Sequence, residues 1–136
     1  MRFDTKIAIV VCADLPVWQQ LNMTAFLASG IAGGRDGVLG LPYEDGSGNA
    51  YLPMFGQPVL VFATDAAGLR AVWERARARE LPLVVFTQEL FGTGNDEDNR
   101  AAVRAVPAEK LDLAGLAVHG RRGDVDKTVK GLPLYP

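Results

Sequence analysis

The chain has 136 residues, of which 49% are hydrophobic and 22% are charged, and its formal net charge at pH 7 is −2. This length suits one domain spanning residues 1–136, and no apolar run approaches the roughly twenty residues of a transmembrane helix. The slightly negative charge disfavours nucleic acid as a partner, because proteins that grip phosphates usually carry a basic face.

The start of the chain and its single cysteine bear on compartment and cofactors. Residues 1–6 lack the basic, apolar and small-residue regions of a secretory signal, so the cytoplasm is the expected location. Cys12 is the only cysteine, which excludes an internal disulfide and a cysteine-based zinc site. No other motif for a cofactor or a metal occurs, so the sequence predicts neither.

Four apolar runs rich in β-branched residues predict strands that are buried on both faces. They span residues 6–13, 58–63, 81–86 and 113–119. Helical patterns fill the intervals at residues 16–32, 65–79 and 97–105, and a short helix is expected over 123–132. Strands that alternate with helices predict a three-layer α/β fold, with a mostly parallel sheet flanked by helices. We expect the first and third strands to lie side by side and parallel.

The long segment between the first helix and the second strand, residues 33–56, is rich in glycine. The turn sequence Asp45-Gly46-Ser47-Gly48 lies between two apolar stretches, which predicts a β-hairpin arm. Such an arm either covers a site or partner surface, or is a mobile surface excursion. The first helix is apolar on nearly all sides between Met23 and Ala32, so we expect the arm or a partner chain to cover its outer face.

Polar residues follow the first and third predicted strands, where ligands bind in α/β sheets. Asp14 follows the first strand and is expected either to cap the first helix or to orient a ligand. Several hydrogen-bonding groups surround Phe91 after the third strand, a mixture typical of a small-molecule site. They are Thr87, Gln88, Glu89, Thr93, Asn95, Asp96 and Asn99. The alternative is that Thr93, Asn95 or Asp96 caps the next helix while the other groups remain solvated.

No strong catalytic signature occurs in the sequence. There is no phosphate-binding loop, no Gly-x-Ser-x-Gly elbow and no His-Glu-x-x-His motif. His119 is the only histidine and ends the fourth predicted strand, where it is either a general base or an ordinary strand-end residue.

Three segments, at residues 6–15, 22–30 and 90–100, together with the tail 125–132, resemble the bacterial domain-of-unknown-function two-thousand family. The resemblance covers nearly the whole chain. It implies a fold similar to peptidyl-tRNA hydrolase type II, with a four-stranded mixed sheet flanked by helices. Asp14-Leu15 matches the Asp-Leu of these hydrolases after their first strand, and residues 125–132 resemble their closing helix and strand.

The catalytic residues of the hydrolases are only partly matched. With one residue inserted after Asp14, their catalytic lysine falls on Asn22, and Ser29 occupies a later histidine position. Asparagine lacks the positive charge that stabilises a developing oxyanion or a phosphate. Thr87, Gln88 and Glu89 replace an Asp-Ala-Gly motif, so the acid survives only as Glu89. The resemblance therefore implies a shared scaffold without the same reaction.

Three functions remain open from the sequence. The first is a site that binds an unidentified small molecule at the carboxyl ends of the first and third strands, without useful peptidyl-tRNA hydrolase activity. The second is a hydrolase or transferase for a small acyl, amide or acyl-tRNA-like substrate, with Glu89 as general base in a pocket beside Phe91 and with Asn22, Thr87 and Thr93 as donors. The third is a homodimeric interaction protein that uses the arm and the first helix.

Overall fold

The computed structural model describes residues 3–136, which form six strands and four helices. The strands are β1 (Thr5–Cys12), β2 (Tyr43–Glu44), β3 (Ala50–Tyr51), β4 (Val59–Thr64), β5 (Leu83–Thr87) and β6 (Leu113–Arg121). The helices are α1 (Val17–Gly34), α2 (Ala66–Ala78), α3 (Asp96–Arg104) and α4 (Arg122–Thr128). Short 3-10 helices at Gln88–Gly92 and Ala108–Lys110 precede and follow α3. The predicted strands and helices are all present, with ends that differ by a few residues.

The main sheet contains four strands in the order β4-β1-β6-β5. β1 and β4 pair in parallel, whereas β6 is antiparallel to both of its neighbours, β1 and β5. The α/β class and the mixed four-stranded sheet are therefore confirmed. The expectation of a mostly parallel sheet is wrong, because only one of the three strand pairs is parallel.

The expected adjacency of β1 and β5 is also wrong, because β6 lies between them. The alternation of strands and helices predicted that each helix crosses one face of the sheet and that the next strand is parallel to the previous one. Helix α3 instead packs mainly against the 3-10 helix that follows β5, and the chain re-enters the sheet as antiparallel β6. Because β1 and β5 both run antiparallel to β6, their carboxyl ends lie at the same end of the sheet.

Alternate residues of β1 enter two separate hydrophobic cores, one on each face of the sheet. The core under α1 contains Ile7, Ile9 and Val11. The core under α2 and α4 contains Ala8, Val10 and Cys12. Burial on both faces explains why β1 is a continuous apolar run rather than an alternating one.

Two glycines allow α1 to lie close to the sheet. A Cβ atom at Gly30 of α1 would lie 2.7 Å from a methyl carbon of Val84 on β5. A Cβ atom at Gly115 of β6 would lie 2.7 Å from the sulfur of Met23 on α1. Because neither Cβ atom is present, the helix backbone and the Met23 side chain fill the space that larger residues would occupy.

The buried side chain of Gln20 joins the start of α1 to the end of β1. Its Nε2 donates to the backbone carbonyl oxygens of Cys12 at 3.2 Å, Ala13 at 3.2 Å and Leu15 at 3.0 Å. Its Oε1 accepts a hydrogen bond from the hydroxyl of Tyr135. Gln20 thus satisfies the backbone of the turn between β1 and α1, where no side chain caps the helix.

The C-terminal residues close the β4 edge of the sheet. The backbone N–H of Tyr135 donates to Val61 at 2.8 Å, and the N–H of Ala63 donates to Pro133 at 3.2 Å. Leu134 forms an antiparallel bridge with Phe62. The tail therefore lies along β4 like a short additional strand and occupies its outward backbone groups.

The predicted hairpin arm is present, and its turn is held by Asp45. The carboxylate of Asp45 accepts hydrogen bonds from the backbone of Ser47 and Asn49, from the Asn49 amide and from the Tyr51 hydroxyl. These bonds, chiefly that from Tyr51, hold the pKa of Asp45 well below its usual range. The arm thus has an ordered tip although its residues are exposed.

The outer face of α1 is only partly covered within one chain. Leu27 and Ile31 are buried against the sheet, whereas Phe26 is 52% exposed. Trp18 and Leu21 are 62% and 65% exposed, so the arm does not cover the first half of the helix. Within residues 3–136, no helix is both long and apolar enough to span a membrane.

Two of the three glycines of α1, Gly30 and Gly33, predict opposite effects of the same substitution. Gly30→Ala is expected to lower the free energy of unfolding by about 1–2 kcal/mol, because its methyl group overlaps Val84. Gly33→Ala is expected to raise it by about 0.5 kcal/mol, because nothing lies within 4 Å of that position and alanine favours the helix. Urea unfolding of both variants measures the difference. Equal effects of the two substitutions would contradict the close approach of α1 to β5.

Candidate functional site

A cleft of about 370 Å³ opens at the carboxyl end of β5. Helix α1 forms one wall, and the segment from the end of β5 to α3 forms the other. The lining residues from α1 are Trp18, Asn22 and Phe26. Those from the second wall are Phe86, Leu90, Phe91, Thr93, Gly94, Asn95, Asp96 and Asn99. The cleft has the size of a small-molecule site and joins segments that are about seventy residues apart in the sequence.

Four aromatic rings, contributed by both walls, line the cleft as a chain of neighbouring pairs. The ring centroids of Phe86 and Phe91 are 4.9 Å apart, and those of Phe26 and Phe86 are 6.1 Å apart. Trp18 approaches Phe91 edge to face at 6.3 Å. These distances are those of favourable aromatic pairs, so the rings hold one another in place and offer a preformed apolar surface.

The rim of the cleft carries amide and hydroxyl groups held by the loop before α3. The side chain of Asn95 accepts from the backbone N–H of Asp98 at 2.8 Å and so caps α3. The single hydrogen of the Thr93 hydroxyl is shared between the Leu90 carbonyl oxygen, at 3.0 Å from Oγ1, and the side-chain oxygen of Asn99. The loop is therefore fixed by its own hydrogen bonds, and the capping alternative for Asn95 is confirmed.

An apolar groove of about 540 Å³ continues from the cleft along β5. It shares Phe26, Phe86, Leu90, Asp96 and Asn99 with the cleft. Its other lining residues are Leu27, Val84, Val85, Arg100, Val103 and Arg104. Arg100 pairs with Asp96 one helical turn away. Arg104 has no carboxylate partner in the part of the chain that the structure describes.

The structure gathers part of the predicted site at the cleft and leaves part of it outside. The predicted residues that line the cleft are Asn22, Phe91, Thr93, Asn95, Asp96 and Asn99. Those that do not line it are Asp14, Thr87, Gln88 and Glu89. After β5 the chain forms a 3-10 helix whose later residues Leu90 and Phe91 line the cleft, whereas its first residues Gln88 and Glu89 do not.

The residues outside the cleft have other surroundings. Glu89 is exposed on the 3-10 helix, so the expected partly apolar pocket around its carboxylate is not present. Asp14 is exposed and does not cap α1, whose preceding residue is Pro16. Thr87 is buried, and its hydroxyl has no partner among residues 3–136. Gln88 is held through its backbone N–H, which donates to Asp112 at 2.9 Å.

Sequence reasoning predicted Phe91 but missed the other three aromatic residues of the cleft, Trp18, Phe26 and Phe86. Trp18, Asn22 and Phe26 follow one another at four-residue spacing, which places them on one stripe of a helix. That stripe lies beside the buried stripe of Met23 and Leu27, and the spacing was the available signal. Phe86 carried no signal, because a buried strand residue reads as core.

His119 lies at the opposite end of the sheet from the cleft. It pairs with Ile7 near the start of β1, whereas the cleft lies at the carboxyl end of β5. Its Nδ1 accepts a hydrogen bond from Nε of Arg35 at 3.0 Å. Burial lowers the pKa of His119 below its usual value of 6.5, and the charge of Arg35 lowers it further. His119 is therefore a neutral structural residue and not the base of this cleft.

Comparisons with known proteins identify a family but no activity. The family model described as "Protein of unknown function (DUF2000)" matches residues 5–136. A solved structure of the protein of unknown function Atu0240, from Agrobacterium tumefaciens strain C58, is 41% identical. The match covers 99% of this chain and 100% of that chain, with a TM-score of 0.95. No curated protein matches this chain. The likeness to peptidyl-tRNA hydrolase type II stays a prediction.

The lowered pKa of His119 predicts a loss of stability in mild acid. Above pH 6.5 the imidazole is neutral in both states, so it adds no pH dependence. As the pH falls below 6.5, the unfolded chain takes up a proton that folded His119 resists, and the free energy of unfolding decreases. Urea unfolding between pH 8 and pH 5 measures this decrease. The His119→Gln variant keeps a side-chain acceptor for Arg35 without titrating, so a slope as steep in that variant as in the native chain would refute the assignment.

Proposed function

The chain belongs to the DUF2000 family of proteins of unknown function, and we propose that its cleft binds a small molecule with an apolar, ring-containing body and polar edge groups. The observation that carries the proposal is the set of neighbouring aromatic rings that line the cleft, Trp18, Phe26, Phe86 and Phe91, beside amide groups and a hydroxyl. Mostly apolar pockets with a few placed polar groups are typical of small-molecule sites.

Binding without turnover fits the groups at the cleft better than catalysis does. Among the described residues, those that line the cleft include no serine, cysteine, lysine or histidine, and the hydroxyl of Thr93 is engaged by Leu90 and Asn99. The one carboxylate on the rim, Asp96, is paired with Arg100. The alternative of a hydrolase or transferase for small acyl or amide compounds requires Asp96 to act as the base, since Glu89 lies outside the cleft.

The same groups argue against the hydrolysis of peptidyl-tRNA. The position that the hydrolase resemblance gives to a catalytic lysine is occupied by Asn22, whose amide carries no charge for phosphates or a developing oxyanion. Losing one such stabilising group costs about a hundredfold in rate. We therefore propose that the cleft retains the scaffold for binding and lacks useful peptidyl-tRNA hydrolase activity.

Tryptophan fluorescence provides a direct test of the cleft. The Trp73→Phe variant leaves Trp18 on the cleft wall as the remaining tryptophan. A metabolite collection is first screened by thermal shift, where a ligand at a hundred times its Kd stabilises the fold by about 2.7 kcal/mol. Compounds that stabilise the fold are expected to change the Trp18 fluorescence emission. Asn22→Ala is expected to lower their affinity about tenfold through the loss of a hydrogen bond.

Glu89→Gln is the matched control, because Glu89 and Asn22 are both exposed but only Asn22 lines the cleft. Hits that are lost in Glu89→Gln and retained in Asn22→Ala would contradict the proposal, as would a collection without any hit. Peptidyl-tRNA, assayed beside an authentic hydrolase, is expected to show no useful release of free tRNA. Turnover that Glu89→Gln abolishes would restore the enzyme hypothesis.

A second candidate function is self-association through the arm and the start of α1. The supporting observation is a set of exposed large apolar side chains in both segments. On α1 they are Val17, Trp18 and Leu21, and on the arm they are Leu41, Tyr43, Tyr51, Leu52 and Met54. The number of these side chains supports the candidate, because large apolar groups left in water favour association. We propose a homodimer that buries them.

A charge on the arm tests this candidate. Leu52 is 87% exposed in the single chain, so Leu52→Asp leaves the fold intact but places a carboxylate in the proposed interface. We expect the native chain to sediment as a dimer and Leu52→Asp to sediment as a monomer, since burying an unpaired charge is costly. Lys130→Asp, at an exposed position outside both segments, is expected to remain dimeric. A monomeric native chain at high concentration would exclude the candidate.

A further inference from the structure

The two outer strands of the sheet differ in how their backbones are satisfied. The C-terminal residues 133–135 lie along β4 and bond its outward groups. At the opposite edge, β5 pairs with β6 on one side and with no strand on the other within residues 3–136. β5 has the sequence LVVFT, without the charges or prolines that commonly protect an exposed strand.

The register of β5 identifies the residues whose backbones point outward. In an antiparallel pair, directly opposite residues alternate between bonded and non-bonded pairs. The N–H of His119 on β6 donates to the carbonyl of Pro82, so this pair is bonded. Val84 and Phe86, two and four residues further on, are bonded likewise. Leu83 and Val85 therefore direct their N–H and C=O groups away from β6, toward the open edge.

The apolar groove lies beside these outward groups. Its lining includes consecutive β5 residues from Val84 to Phe86, so it follows the strand edge and not only one face. Phe26 and Leu27 of α1 form one wall, and Val103 of α3 belongs to the other. A groove between a strand edge and a helix has the form of sites that bind an extended peptide as an added strand.

We propose that the groove along β5 binds an extended peptide segment by strand addition. Leu83 and Val85 supply the main-chain hydrogen bonds, and alternate apolar side chains of the peptide enter the groove beside Val84 and Phe86. Arg104, which lacks a carboxylate partner in the described chain, selects an acidic side chain or a terminal carboxylate, whereas neighbouring Arg100 is already paired with Asp96.

A peptide fits this edge better than other occupants do. A small molecule fills the apolar volume but leaves a row of outward backbone groups without partners. A second copy that paired β5 with β5 would bring its own α1 and α3 to the place where α3 already forms a wall. A single extended peptide brings no additional helices to this edge, and an acidic group on it supplies a carboxylate partner for Arg104.

The proposal is tested on the full chain with a displayed library of random ten-residue linear peptides. Enriched peptides are expected to alternate apolar residues and to carry an acidic group. They are then labelled with fluorescein, and their binding is measured by fluorescence polarisation. Amide hydrogen exchange is expected to be fast at Leu83 and Val85 in the free protein and to slow at both when a peptide is bound, because strand addition supplies their missing acceptors.

Two matched pairs of variants separate strand addition from other binding. Val85→Pro removes an outward N–H that β6 does not use, and we expect about tenfold weaker binding, whereas Val85→Ile keeps the N–H and the affinity. Arg104→Glu is expected to weaken binding about tenfold and Arg104→Lys only slightly. The two Arg104 variants change a residue of α3, which has no buried residues. We therefore expect both variants to fold, and they remain informative if Val85→Pro does not.

Several outcomes would overturn the proposal. They are the absence of enriched peptides, binding that neither Val85→Pro nor Arg104→Glu weakens, and binding that leaves exchange at Leu83 and Val85 fast. Protection of these amides in the free protein that grows with concentration would show a second copy at the edge instead. Asn22 lines the cleft but not the groove. Asn22→Ala is therefore expected to leave peptide affinity unchanged, so the small-molecule proposal can fail independently.

Discussion

Helix α1 lies close to the sheet because two glycines leave space where the helix and the sheet pack together. Gly30 leaves room for Val84 on β5, and Gly115 on β6 leaves room for Met23. The spacing between helix and sheet then determines where the exposed stripe of α1 stands. Trp18, Asn22 and Phe26 belong to this stripe and line the cleft at the end of β5. The cleft is thus a consequence of backbone packing as much as of its own side chains.

Gln20 and the C-terminal tail together stabilise the sheet next to β1. Gln20 connects the turn after β1 to the C-terminal Tyr135, so that the tail closes the β4 edge as α1 begins. This arrangement protects one edge strand with the chain's own residues and leaves β5 as the accessible one. The difference between the edges matters physically, because unpaired strand backbone attracts another chain whereas paired backbone does not.

The groups that line the cleft favour the proposed binding function. Its aromatic rings provide apolar area, and its amides provide directional hydrogen bonds, but its one carboxylate is engaged by Arg100. The two residues that the sequence offered as a general base, Glu89 and His119, do not line the cleft. Glu89 faces solvent, and His119 is paired with Arg35 at the far end of the sheet. Local sequence chemistry is therefore a poor guide to function here, since a polar residue near a strand end needs the right backbone path to reach a site.

The sequence alone determined the strands, the helices and the hairpin arm, because hydrophobic periodicity and turn residues are local properties. It also indicated the Phe91 to Asn99 segment, since polar residues that follow buried strands were expected near ligands, and the hydrolase resemblance indicated Asn22. Only the tertiary structure decided that β6 enters between β1 and β5, because strand direction depends on how α3 leaves the sheet. Only the tertiary structure brought Trp18, Phe26 and Phe86 together and left Asp14, Thr87, Gln88 and Glu89 outside. Those outcomes depend on long-range packing at Gly30 and Gly115 and on the 3-10 turn after β5, which no short window of sequence encodes.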